Sequence, residues 1–551
     1  MKTNKILSLV VLAVMGAMSV GCSNADDPII SGGEEVTLTT TISLEGGEAQ
    51  TRALDAQGRK TFAVGDQIAV VYENAGGKMQ KAVTDSLTAD DIADDGKKAT
   101  ITVTLTDPKA DGTLKYIYPA AMANNDGSVN YDKLKKQDGT LASLAANLDV
   151  ALYEGSLFGE ELPADVILTN PLCIGVFSIM NDDNDITGNI RMMTVFDGTN
   201  LYIVNREPAA GPIYVAMQPT DGDKALQFYT TDGTTNYRKS VSGKTLEPGN
   251  MYPVNLTMPT DKRTALELLT GDYTVKDGET LTGILLGSYS IKTDLSDVTV
   301  TLDGVDINST YRISSEGIRC SRNTTLILAD GSDNKVVSGT NGYAGISIGS
   351  NYTVTIRGNG SLTAVGKSSS NIGGAGIGGT MSSTGNIVIE SGNITAEGGK
   401  YSAGIGCGFK SSDPSNFGDI TISGGNVTAK GGHYAAGIGT GFADKKSNRC
   451  GRILICGGTV SATGGDKGAG IGTGMCSSKD YIVNTYGSIY ITTGVTWVTA
   501  AVTSTSDCNS IGTGKGASSG NVIIGCTLDS EGNPVGGEEG MIKTSPYTYQ
   551  P

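Results

Sequence analysis

The sequence predicts an all-β protein: two β-sandwich domains followed by a right-handed parallel β-helix. Three observations predict it. The tripeptide Ala-Gly-Ile recurs at Ala344-Gly345-Ile346, Ala375-Gly376-Ile377, Ala403-Gly404-Ile405, Ala436-Gly437-Ile438 and Ala469-Gly470-Ile471, and all copies but the first continue with Gly. Glycine supplies 78 of the 551 residues. The chain before the array carries alternating strands without that period. The central glycines of the copies are spaced 31, 28, 33 and 33 residues apart (376−345, 404−376, 437−404, 470−437), and a period in this range marks stacked units, none of which can bury its apolar side alone.

The N-terminus comes first. Lys2 and Lys5 precede an apolar run from Ile6 to Val20, too short to span a membrane and suited to a secretory signal over 1–21. The run ends in Ser19-Val20-Gly21-Cys22, which resembles a bacterial lipobox with Ser19 in place of the usual Leu. The resemblance implies that Cys22 is acylated, with palmitate among the expected chains, and becomes the mature first residue. A soluble secreted protein with a stray cysteine is the alternative. Residues 22–33 form a tether whose Ser-Asn-Ala-Asp-Asp stretch resembles the surface-export signal of Bacteroidetes lipoproteins. Together these imply a lipid anchor in the outer membrane and exposure at the cell surface.

Residues 34–155 and 156–260 are expected to form two small sandwiches, because about 225 residues of short strands suit two cores better than one. Val36–Leu44 alternates cleanly; Phe62–Tyr72 is entered by a turn; Ala99–Leu105 and Tyr116–Pro119 follow. Asn170–Phe177 opens the second group, which Tyr214–Pro219 and Met251–Leu256 close. The seam is expected near Asn147–Ala164.

Residues 261–540 read as the β-helix, with 541–551 as a tail. Gly385-Asn-Ile-Val-Ile389, Gly418-Asp-Ile-Thr-Ile422 and Gly451-Arg-Ile-Leu-Ile455 are short strands with Ile at every second place, so both Ile face one way. Asn393-Ile-Thr-Ala396, Asn426-Val-Thr-Ala429 and Thr459-Val-Ser-Ala462 follow, then a Gly-Gly pair, then Ala-Gly-Ile-Gly and a polar loop. Three strands and three corners close one coil. Ile387, Ile389, Ile420, Ile422, Ile453 and Ile455 are expected to point inward in ladders. Val298–Leu302 and Thr325–Leu328 look like earlier coils.

The first half also resembles a known family. Thr51-Arg52-Ala53, Val64–Val70, Tyr118-Pro119, Pro219 after an apolar strand and Gly249–Leu256 are similar, in that order, to a fimbrillin-like subunit of the Bacteroidetes type V pilus, over about 40% of the chain. The resemblance implies surface lipoproteins cut after a basic residue by a trypsin-like protease. The cut removes a leading strand, and a neighbouring pilus subunit then fills the groove by β-strand addition. Arg52 and Ala53 would flank the cut and Val36–Leu44 would leave; the alternative is that Arg52 lies in a surface linker. The chain runs on past Met258 into the β-helix, and its short tail contains Pro546, so a tip-like subunit that accepts a strand but donates none is expected. The Gly-Gly-x-x-Ala-Gly-Ile-Gly pattern resembles carbohydrate-binding β-helices of bacterial surface proteins, which implies a glycan ligand.

Composition constrains the partners. A net charge of −16 and a pI near 4.6 argue against nucleic acid. Removing Cys22 leaves eight cysteines without a disulfide framework in their spacing; Cys407, Cys456 and Cys476 suit small apolar thiols inside the solenoid. A polysaccharide lyase or hydrolase is the competing function. Asp294, Asp297, Asp303, Asp306, Asp330 and Asp333 could line one wall and hold a calcium ion, the one cofactor the sequence leaves open. They fall at turns, however, where Asp serves the backbone. A hydrolase wants facing carboxylates, which the repeats lack at their outward positions. His433, the single histidine, sits at a Gly-Gly corner and reads as a solvated loop residue. No catalysis is therefore expected. Tyr401 and Tyr434 follow matching corners and should stack on adjacent coils as a sugar platform. Phe409, Phe442 and Met475 are expected to fold back over the core.

Overall fold

In the computed structural model the described residues are 34–44, 61–159, 161–285, 288–308, 316–339, 342–369, 372–380, 384–410, 415–444, 447–477, 484–503, 508–518 and 520–551. The chain divides into two units. The first holds the described residues up to Ser43 together with Phe62–Ser128 and Tyr153–Ile167. Val129–Leu152 groups with the second unit, and the chain then returns. The boundaries between the units fall after Ser43, Thr61, Ser128, Leu152 and Ile167.

In the first unit, strand Glu35–Leu44 pairs antiparallel with Lys98–Thr106 over nine register positions, from Glu35 opposite Thr106 to Ser43 opposite Lys98. Alternation puts Ile42 and Leu44 inside with Ile101, Val103 and Leu105. The outward hydroxyls meet in pairs, Thr37 with Thr104 and Thr39 with Thr102, each at 3.0 Å. A second sheet runs in the order Met79–Val83, Ala69–Glu73, Thr113–Tyr118, Ala151–Ser156.

The second unit contains another pair of sheets, one of them mixed. Cys173–Asn181 lies between Ile213–Met217 and, in parallel, Met251–Thr257. Phe177 meets Phe228 edge-on at 5.4 Å in the core between the sheets. The early segment is fastened there by Gln137, buried, whose side-chain amide donates to the Ala216 carbonyl and accepts from its N–H, both at 2.9 Å.

The same unit continues into the parallel β-helix. Along the first wall Ile387, Ile420, Ile453 and Ile489 are successive rungs, as are Ile389, Ile422, Ile455 and Ile491. All eight are buried, as the two-residue spacing requires. Each contributes about 1.5–3 kcal/mol through removal from water. The second wall stacks Asn393–Glu397, Asn426–Lys430, Thr459–Gly464 and Trp497–Val502. The third wall is the Ala-Gly-Ile-Gly column. Its last glycine is forced: Gly406 and Gly439 have φ of 126° and 127°, and a Cβ on Gly406 would lie 2.1 Å from the Gly439 carbonyl oxygen.

The polar loop expected after Ala-Gly-Ile-Gly contains a further short ladder, Asn448–Cys450 on Asn484–Tyr486. Its Asn side chains point inward. Asn484 is buried, and its Nδ2 donates to the Gly441 carbonyl at 2.8 Å and to that of Gly474 at 3.1 Å. An inward amide thereby satisfies loop carbonyls that no strand pairs.

Both ends are closed. At the start, Leu266 of a 3-10 turn enters the core. At the finish, Tyr547–Tyr549 pairs antiparallel with Trp497–Val502, and Glu538–Glu539 with the strand Asn521–Leu528. The tail is therefore part of the cap: Ile542, Tyr547 and Tyr549 pack on the core. No helix among the described residues is long and apolar enough to cross a membrane.

Candidate functional site

The corner between the second and third walls brings the two expected tyrosines together. It is built by Gly398-Gly399-Lys400-Tyr401, Gly431-Gly432-His433-Tyr434 and Gly464-Gly465-Asp466-Lys467 on successive coils. Tyr401, Tyr434 and Lys467 occupy the left-handed region, with φ of 71°, 66° and 61°. A side chain there costs roughly 1–2 kcal/mol relative to glycine, so something beyond the turn holds these residues in place.

Contacts supply that hold. The Tyr401 and Tyr434 rings lie 5.9 Å apart and 18° from parallel. Phe409, buried, meets Tyr401 edge-on at 5.0 Å, and Phe442 packs 5.4 Å from both tyrosines. Phe409 and Phe442 thus turn back under the tyrosines, and Met475 on the next coil is half-buried. Lys400 Nζ lies 4.8 Å from the Tyr401 ring centre and Lys467 Nζ 5.2 Å from that of Tyr434. Much of each ring is already engaged by neighbours and cations, so the corner is a cation-edged aromatic cluster rather than a bare flat platform. His433 lies 3.7 Å from the Tyr434 ring, with Nε2 4.0 Å from an Asp466 carboxylate oxygen.

The aspartates separate. Asp297 accepts the Asn323 N–H at 3.2 Å and its side-chain amide at 3.0 Å. Asp303 is paired with Arg263 at 2.9 Å, Asp330 accepts from Asn359 at 3.0 Å, and Asp333 from Ser361 at 2.8 Å. Asp294 accepts from Thr274 at 3.3 Å. Burial pushes the Asp306 carboxyl up. Among the described residues no three His, Cys, Asp or Glu side chains converge as a metal site. Cys320, Cys407 and Cys450 are free thiols buried in the β-helix, their pKa values raised by desolvation. Cys22, Arg52 and Ala53 lie outside the described residues.

Two features went unread in the sequence. Trp497 is 41% exposed on the second wall, in register with Thr459, Asn426 and Asn393. The aligned pattern x-[Ile/Val]-[Thr/Ser]-Ala, complete at Trp497-Val498-Thr499-Ala500, was the available signal. Glu267, buried where the second sandwich meets the first coil, accepts the Ile284 N–H at 2.5 Å, and burial pushes its carboxyl up to about 7.

Residues 354–381, 387–409, 420–442 and 453–475 match the family model described as Beta helix repeat. The C-terminal part of the chain carries β-helix repeats. No curated relative matches the chain. Among solved structures, a fimbrial assembly protein from Parabacteroides distasonis is similar at 11% identity and a TM-score of 0.24, covering 40% of this chain and 91% of its own. A candidate cell adhesion protein from Bacteroides ovatus is similar at 13% identity and a TM-score of 0.24, covering 41% of this chain and 96% of its own. Another, from Bacteroides uniformis, gives 12% and 0.23, covering 41% and 97%. These neighbours lie over the N-terminal part. What the site does rests on this chain's own residues.

Proposed function

We propose that this chain is a cell-surface lipoprotein adhesin whose β-helix binds a carbohydrate. Acyl chains on Cys22 hold it in the outer membrane. The observation that carries the binding reading is the Tyr401–Tyr434 stack. Two part-exposed rings stand 5.9 Å apart and 18° from parallel on adjacent coils, edged by Lys400 and Lys467, an arrangement that suits the C–H face of a sugar. The site performs no chemistry on the glycan. A glycan array read with wild-type protein, followed by analysis of the bound glycans for cleavage products, tests this. Retention of intact glycan is the expected outcome, and shortened or unsaturated products would establish the degradative enzyme instead.

The same reading places the protein at the tip of a pilus. Processing at Arg52-Ala53 releases Val36–Leu44, and a strand from a neighbouring subunit takes its register against Lys98–Thr106. The alternation of Ile42 and Leu44 inward with Ser43 outward is what an incoming strand would have to copy. Arg52→Ala should leave an unprocessed lipoprotein excluded from fibres, and Cys22→Ser should release the protein from the membrane fraction. Full processing of the Arg52 variant, or unchanged fractionation of the Cys22 variant, would remove those parts of the proposal.

A further inference from the structure

The chain has one tryptophan, and the fold puts it in the open. Trp497 is 41% exposed at the C-terminal end of the second wall. Its Nε1 donates to Thr499 Oγ1 at 2.8 Å, two positions on along the same face of the strand. That bond lays the indole along the strand and uses up its only donor, so the ring offers the ligand apolar surface alone.

The rungs beneath it match. Asn393, Asn426, Thr459 and Trp497 are successive residues of one outward column. Thr395, Thr428, Ser461 and Thr499 form the next column on the same face. Asn426 Nδ2 donates to Asn393 Oδ1 at 2.9 Å, so the amides stand in line, each with donor and acceptor capacity to spare. The cap continues the second column, because Thr548 pairs opposite Thr499 and is exposed. Hydroxyls and amides therefore recur at the strand spacing of about 4.8 Å, along a flat strip ending in an indole.

Charge selects the ligand. Across four coils these two columns contain no ionisable side chain, whereas Glu397 and Lys430 flank them in the third. The chain as a whole carries −16, so an acidic polymer gains nothing from the strip and is repelled by the remainder. A protein partner would want an apolar centre larger than one ring. A neutral sugar chain fits each element: C–H faces on the indole, hydroxyl groups exchanged for those of Thr, Ser and Asn.

We infer that the second wall, from Asn393 to Trp497, is a binding track for a neutral polysaccharide lying along the β-helix axis, with Trp497 as its stacking residue. This rests on the carbohydrate reading above and moves the principal contact from the tyrosine corner to the adjoining wall.

The experiment uses the full chain with laminarin, yeast mannan and arabinoxylan as neutral probes and polygalacturonate as the acidic comparison. Emission from the lone tryptophan reports position 497 directly, and calorimetry gives affinities for variants that lack it. Expected are a shift in tryptophan emission with at least one neutral probe, none with polygalacturonate, and a tenfold or greater loss of affinity in Trp497→Ala. Trp497→Phe should recover part of that affinity. Thr428→Arg, which changes an exposed side chain and leaves the core intact, should weaken binding to a similar degree. Binding of a neutral probe with Trp497→Ala and Thr428→Arg both within twofold of wild type would overturn the track and leave the carbohydrate reading standing. Failure of the unmodified protein to bind any glycan, on the array or among these probes, would overturn both.

Discussion

The space that a Cβ on Gly283 would occupy is filled by the Glu267 carboxylate, whose oxygens lie within 2.3 Å of that point. Gly283 has φ of 86°, and its neighbour Ile284 donates its N–H to the same carboxylate. A glycine in the first coil thus makes room for a buried acid from the turn that plugs it. Gly283→Ala should destabilise the second unit by about 2–4 kcal/mol, through backbone strain and displacement of the carboxylate. Denaturant unfolding followed at the β-helix checks this.

Glu267 also predicts a pH dependence. Its folded pKa, about 7, lies above the ordinary 4.5, so between those values the folded state holds a proton that the unfolded state has released. Stability from this group is therefore greatest below about pH 4.5, falls as pH rises towards 7, and is level above. The span corresponds to a change on the order of 3 kcal/mol. Glu267→Gln should flatten that slope and leave the protein more stable at pH 7.5, as read from urea midpoints at pH 5, 6 and 7.5.

Glycines differ sharply in what they tolerate. Gly406→Ala drives a Cβ to 2.1 Å from the next coil's carbonyl oxygen and should cost more than about 3 kcal/mol. Gly331→Ala, also at positive φ but with nothing within 4 Å, should cost about 1 kcal/mol. Thermal unfolding of the two variants side by side checks the contrast.

Ile422 is wholly buried between Ile389 and Ile455. Ile422→Ala should lose about 2–5 kcal/mol and Ile422→Val about 0.5–1.5. Equal losses in the two variants would mean that the ladder is not close-packed.

The tyrosine pair is testable by a double-mutant cycle. Tyr401→Leu, Tyr434→Leu and the double variant should give a coupling of about 0.5–1.5 kcal/mol in favour of the pair. Additive losses would assign the stacking to coil geometry alone.

Where the fold was legible, one repeat unit contained the cause. Alternating Ile set the first wall, and a glycine at a fixed place in each copy marked the third. Tyr401 and Tyr434 could be paired because matching corners put them on adjacent coils, whereas the aspartates read as turn residues include Asp303 and Asp306 in the strand Val298–Ile307 and Asp333 at the head of Asp333–Val337, and Asp303 and Asp333 find partners 40 and 28 residues away. What escaped depended on contacts between distant segments. Nothing near Glu267 in sequence shows that Gly283 will leave it a space, and nothing near Gln137 shows that Ala216 will receive it. The inward roles of Asn448 and Asn484 were not legible, because their acceptors, the carbonyls of Gly441, Phe442 and Gly474, become orphaned only once the coil closes. Trp497 was visible in its aligned pattern, but its significance lies in its exposure, which composition does not report.

The rungs of the first wall are interchangeable in a way that single-core domains are not. Ile420 meets Ile387 on one side and Ile453 on the other, so both of its interfaces are isoleucine on isoleucine. Remove the coil that carries Ile420, and Ile387 would face Ile453 across a junction of the same kind. The length of this β-helix is thus not written into its packing. Unequal exchange between copies of the repeat could lengthen or shorten the molecule by whole coils, giving a lineage a surface whose reach changes while its interior stays as it is.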